Sequence, residues 1–176
     1  MRMRYKRYLL LLLLVLPSMV RLRAQDDTQL SQYWAMPSYY NAGAAGIYEK
    51  LNLRAATRQQ WVGMPGAPKS FLVLADMPLR FLKADHGIGI QLSNDSYGLF
   101  KTTSFGIQYA YKVKLWSGQL SLGLQLGLIS QIFDGTEVFI PESDYHQQTD
   151  DAIPTSEVQG TAFDVGFGVY LSLIHI

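Results

Sequence analysis

The stretch that decides the fold is "QLSLGLQLGLIS", residues 119–130. Leucine occupies positions 120, 122, 124, 126 and 128, with Gln, Ser or Gly at each position between them. Strict alternation over this length describes a β-strand with one apolar and one polar face. Two environments suit such a strand. In a soluble sandwich the leucines pack on a second sheet; in a membrane barrel they face lipid.

Working outward, the same period of two recurs. Residues 51–61 set Leu51, Leu53, Ala55 and Thr57 against Asn52, Arg54, Arg58 and Gln60. "VGMPGAP" interrupts with two prolines and two glycines. Residues 70–78 form a second run that alternates less cleanly. The third, "HGIGIQLSND", sets Ile88, Ile90 and Leu92 against glycines, Gln91 and Ser93. "SYGLF" turns the chain. The fourth sets Thr103, Phe105, Ile107, Tyr109, Tyr111 and Val113 against small and polar residues. "WSG" connects it to residues 119–130. An acidic segment, 134–160, follows, and then a sixth run, "TAFDVGFGVYL". No helical period survives in this part of the chain, so hairpins of an all-β fold are expected.

Three features favour lipid. Runs four and five extend about 11 residues, the length a tilted strand needs to cross a bilayer, whereas soluble strands cluster near five or six. The face opposite the apolar one is Gly, Ser, Gln, Asn, Arg and Lys. Trp61, Tyr97, Phe100, Tyr111, Trp116 and Phe133 lie near run ends, where interfacial aromatic girdles occur. The expected fold is an antiparallel transmembrane β-barrel of the bacterial outer membrane. It is incomplete in this chain: closure takes at least eight strands, and about six are present.

The chain has fifteen Lys+Arg and fourteen Asp+Glu. Six of the fifteen (Arg2, Arg4, Lys6, Arg7, Arg21, Arg23) fall in the first 24 positions, which hold no acid. Beyond them nine basic residues face fourteen acidic ones, a balance of −5. An acidic chain of this kind argues against nucleic acid as a partner. The basic start, the apolar run at 9–16 and Pro17 form the pattern of a signal peptide over residues 1–24. The run is too short for a membrane-spanning helix. Residues 25–49 are expected as an extended lead-in with a tight turn near 41–46, and residues 50–170 as the partial barrel. The last stretch, "LSLIHI" at 171–176, can be encoded by a transposon-end adapter sequence and is expected to be a non-native tail on a strand cut short.

No catalytic set emerges, and neither enzyme activity nor a cofactor is expected. There is no cysteine. His146 lies in "ESDYHQQTDD" without regular ligand spacing, so a solvated loop is favoured over a metal site. "HGIGIQ" lies within a strand and lacks the third glycine of a dinucleotide turn; its glycines fit a crowded barrel interior. Arg54 and Arg58 share a polar face with Gln60; pairing with interior acids such as Asp76 or Asp164 is expected over a polar lumen contact or ligand clamp.

Several blocks occur together in order: "LSQYWAMPSYYNAGAAG" (30–46), "RQQWVGMPGAPKSF" (58–71), "ADMPL", "GIGIQLSNDSYG" (87–98), "YAYKVKLWSGQLSLGLQLG" (109–127) and "FDVGFGVYL". They resemble the PorP/SprF family of type IX secretion system outer-membrane proteins of the Bacteroidetes group. The motif residues this resemblance points to are Ser31, Gln32, Tyr33, Pro37, Asn41 and Gly46 in the first block. In the second they are Arg58, Gln60, Trp61, Gly66 and Pro68. Asp76, Pro78, Asn94, Asp95 and Gly98 complete the set. The family usually has Asn-Pro-Ala where this chain has Asn41 and Ala42, which leaves the turn without proline's fixed φ. The resemblance implies a non-enzymatic component that aids secretion or surface retention of gliding or adhesin cargo. It also implies outer-membrane lipid, periplasmic lipoproteins of the same system and cargo with C-terminal signal domains as partners. A diffusion or uptake barrel for small solutes is the alternative. The short "WSG" turn suggests the periplasmic side and the long acidic loop the extracellular side.

Overall fold

The computed structural model describes residues 30–115, 118–137 and 156–173. The signal peptide, Trp116, His146 with its acidic loop and residues 174–176 lie outside them. Six strands form one antiparallel sheet in chain order: β1 (Asn52–Gln59), β2 (Lys69–Phe81), β3 (Ala84–Tyr97), β4 (Phe100–Leu115), β5 (Gly118–Asp134) and β6 (Glu157–Ser172). Each strand pairs only with its sequence neighbours. Among the described residues β1 and β6 each have one unpaired edge, so the sheet is an unclosed, incomplete barrel. No described helix is long and apolar enough to cross a membrane, which says nothing of strands.

The strands outrun the apolar alternation. β6 begins at Glu157, inside the segment expected as a loop, and β5 continues to Asp134. Polar residues such as Lys101, Gln131 and Gln159 pair in the ladder without adding to the apolar signal. Antiparallel order places residues 82–83, the end of β4 and the start of β5 at one end, here the short end. Residues 60–68, 98–99 and 135–137 lie at the other, the loop end.

The polarity of the sheet is inverted relative to a soluble protein. Leu122, Leu124, Leu126 and Leu128 are 36–56% exposed, while Ser121 and Gly123 on the opposite face are buried. Gln108 is 0% exposed and its neighbour Ile107 is 55% exposed. Burial of this sense leaves the apolar face uncovered by any of the described residues.

What covers the polar face is the segment before β1. Where an extended lead-in was expected, it forms helical turns: Tyr33–Ala35, α1 (Pro37–Tyr40) and Ala42–Ala44. Pro37 opens α1, where its missing N–H costs no bond. The Asn41 side chain accepts from the Gly43 N–H at 2.9 Å and caps the next turn, fixing by hydrogen bonding what proline would fix by its ring. Met36 packs with Leu72 and Leu74 of β2, flanked by Leu30, Tyr39 and Ala56. This contact explains the irregular second run: Leu72 and Leu74 face inward to meet the segment, whereas Phe71 and Val73 face outward.

Candidate functional site

The inner face is organised in cross-strand rows. One runs Pro78–Gly87–Ala110–Gly123–Gly168 across β2 to β6, small residues except at its first position. The plug, residues 33–46, lies on it with Ala42, Gly43, Ala44 and Ala45 all buried. The approach is backbone to backbone. A Cβ at Gly123 would overlap Ala42 and Gly43, and one at Gly87 would overlap the Ala45 carbonyl. Side chains at these positions would hold the plug off the wall.

The next row toward the loop end is polar: Asn52–Asp76–Gly89–Gln108–Gln125–Gly166. Ser38 of α1 is clamped over it. Its hydroxyl donates to Asp76 Oδ1 at 3.3 Å, and its carbonyl accepts from Gln108 Nε2 at 2.7 Å. Gln108 Nε2 also lies 2.9 Å from both Gln91 Oε1 and Gln125 Oε1, so three acceptors compete for two hydrogens. Gln108 Oε1 and Ser121 Oγ have no partner among the described residues.

Gly46 is gripped from two sides. Its N–H donates to Asp76 Oδ2 at 2.8 Å, and its carbonyl accepts from Lys112 Nζ. Its φ is +65°, and a Cβ there would crowd the Met77 carbonyl at 2.6 Å. Asn52 Nδ2 supplies a further donor to Asp76 Oδ1 at 3.0 Å. At the far side, Asn41 Nδ2 donates to the Val169 carbonyl of β6 at 3.0 Å. The plug thus ties β2 and β4 to β6. It leaves a recess of about 230 Å³ lined by Tyr39, Gln91, Gln125 and Asp164, and one of about 720 Å³ at the short end beside Arg80, Asp85 and Lys112.

The outer face carries an apolar band. Its rows run from Ala55–Val73–Leu92–Phe105–Leu128–Phe163 down to Val113–Leu120–Leu171. Four two-residue steps separate these rows, about 27 Å along the strands. Strand tilt reduces this to about 21 Å, near the ~25 Å apolar belt of outer-membrane barrels. His86 lies in the band beside Phe81, Tyr109 and Tyr111. The Phe81 carbonyl can only accept, so His86 Nε2 donates to it at 3.1 Å and Nδ1 accepts from the Tyr109 hydroxyl at 2.7 Å. Both ring nitrogens thus have a partner in a residue that is 8% exposed.

The sixteen motif residues fall into two groups. Pro37, Asn41, Gly46, Asp76 and Pro78 belong to the plug and its seat, and Ser31, Gln32 and Tyr33 lead into it. The second group meets at the loop end. Gln60 N–H donates to the Pro68 carbonyl at 3.0 Å, and Gly98 N–H donates to the Gly66 carbonyl at 2.9 Å, joining the 60–68 loop to the β3–β4 turn. Trp61 holds a φ of +49°, unusual for a bulky residue, and its side chain is exposed. Arg58 is half-buried on β1 in register with Ser70, which pairs in turn with Asp95. Asn94 faces outward and donates to Thr103 Oγ1 at 2.8 Å.

Two expectations require correction. Neither arginine pairs with Asp76 or Asp164: Arg54 stacks on the Tyr48 ring at 4.8 Å and donates to Asn52 Oδ1 at 3.2 Å. Asp76 instead binds neutral donors of the plug and Asn52. Nor do Tyr97, Phe100 and Phe133 form an outer girdle. They continue the parity of the inner face and meet at the loop end, Tyr97 stacked on Phe100 with centroids 5.6 Å apart and Phe100 tilted against Phe133 at 5.1 Å. Position near a run end did not reveal the face; strand parity counted from Gln91, Gln108 and Gln125 does. The plug's seat was legible only as glycines recurring at alternate positions, because the row exists only once register is known.

Comparison with curated proteins and with solved structures returned no match. A family model described as type IX secretion system membrane protein PorP/SprF matches residues 22–173. The match covers the plug segment and all six strands, and the chain belongs to the PorP/SprF family of type IX secretion system membrane proteins.

Proposed function

We propose that the protein is a non-enzymatic outer-membrane component of the type IX secretion system that aids secretion or surface retention of gliding or adhesin cargo. Its partners in this reading are outer-membrane lipid, periplasmic lipoproteins of the system and cargo bearing C-terminal signal domains. The short end faces the periplasm and the loop end the exterior, as in barrels that keep periplasmic turns short.

The observation that supports a docking role over a diffusion role is the plug. Asp76, Gln108 and Lys112 hold it on the inner wall. A solute barrel needs an open lumen; a scaffold needs rigid ends. The cross-braced 60–68 loop offers such an end. Deleting the gene is expected to remove cargo from the cell surface, with the purified protein passing no current in a planar bilayer. Steady conductance together with unaltered secretion in the deletion strain would favour the diffusion barrel instead.

A further inference from the structure

Beyond the apolar band the outer face changes character at one end only. Toward the loop end two more outward rows follow. The first is Thr57–Phe71–Asn94–Thr103–Ser130–Thr161 and the second Gln59–Lys69–Ser96–Lys101–Ile132–Gln159. Together they add about 14 Å of mostly hydroxyl, amide and ammonium side chains along the strands. Their side chains are tied down: Asn94 bonds Thr103, and Gln159 Nε2 donates to Ser130 Oγ at 2.9 Å. Toward the short end no such rows exist. Exposed Val113, Leu115, Leu171 and Leu173 carry the apolar surface to the strand ends, and Leu82 extends it into the turn.

We infer that this loop-end rim of the outer face is a docking surface for phosphate-bearing glycolipid headgroups of the outer leaflet. Lys69 and Lys101 stand in one row with Ser96 between them, about 10 Å apart at the strand spacing. Both point outward. Lys101 remains 55% exposed, and its ion pair with Asp134 is long at 3.8 Å. Two ammonium groups above an apolar wall match anionic headgroups anchored by acyl chains. The depth of the hydroxyl and amide rows selects sugar over a bare phosphodiester, because sugar hydroxyls can use those donors and acceptors across two rows. At the short end Arg80 is engaged by Asp85 at 2.9 Å, and Lys114 follows the inner-face parity.

The inference rests on the outer-membrane reading, and the test separates the two. The full chain is inserted into phosphatidylcholine vesicles, and retention of purified lipopolysaccharide is compared with retention of the same glycolipid after phosphate removal. The wild-type protein is expected to retain the phosphorylated form selectively. K69Q/K101Q is expected to insert normally and to lose about fivefold of that retention per lysine. K83Q, at the short-end turn, is expected to change nothing. Four outcomes overturn the docking surface: equal retention of the dephosphorylated glycolipid, unchanged retention by K69Q/K101Q, an equal loss in K83Q, or equal competition by phosphatidylglycerol. Fractionation of the producing cells that finds the wild-type protein outside the outer membrane would count against the outer-membrane reading itself.

Discussion

A Cβ added at Gly123 would meet the plug backbone at Ala42 and Gly43, whereas one added at Gly160 would meet nothing within 4 Å. Both glycines sit on strands, so intrinsic strand propensity affects them alike. Gly123→Ala is therefore expected to lower stability by about 1–3 kcal/mol through overpacking and to make residues 30–46 sensitive to protease. Gly160→Ala should be near neutral. Urea midpoints and proteolysis of the vesicle-inserted protein test both. Gln108→Leu poses a different question. It removes the donor to the buried Ser38 carbonyl and leaves Gln91 and Gln125 each short of a partner. The expected loss is about 1–3 kcal/mol, the cost of an unpaired buried polar group, read from the same urea midpoints. Neither residue announces this role in the sequence, because each matters only through a contact from a distant segment.

At the scale of the strand, Leu126 and Gln125 are adjacent and opposite in environment. Leu126 is 56% exposed, one row inside the loop-end edge of the apolar band, and Gln125 is turned to the plug. Leu124→Arg, in the central row of the band, is expected to cost about 2–4 kcal/mol of folding stability in a bilayer, as for a cation at the midplane of a lipid-facing strand. An unchanged unfolding midpoint in vesicles would mean that the face does not meet lipid. β5 was legible because it alternates leucine with small polar residues without interruption. β2 was less so: Leu72 and Leu74 serve the plug, so both of its faces carry apolar residues there. The ends of β3, β4 and β5 were misread for their face, since Tyr97, Phe100 and Phe133 suit an outer girdle by type and an inner stack by parity.

For the whole molecule, the class of fold followed from periodicity and its interior did not. The order of six hairpin-linked strands could be counted from alternation and turn residues. The helical turns at 33–44 could not: they show no period, and their stability comes from the row of small residues they cover. The occlusion they produce can be tested in the intact protein. The chain has no cysteine, so a thiol placed at Ser121, 2% exposed on the plugged face, reports alone. It should resist a charged maleimide added from either side of the membrane and become labelled when Gly123→Ala is combined with it. A thiol at Leu126 should stay unlabelled in both backgrounds, shielded by lipid. Labelling of the Ser121 thiol without the second change would mean an open lumen.

The bond from Asn41 to Val169 spans 128 positions of sequence. Strand pairs in this sheet can zip as neighbours, each closing a short loop, but the plug can be locked only after the sixth strand has joined the fifth. Long-range closure of this kind slows folding. A segment translated before every strand is thus among the last to reach its place, and during that interval its seat of glycines stands open to whatever other chain is near.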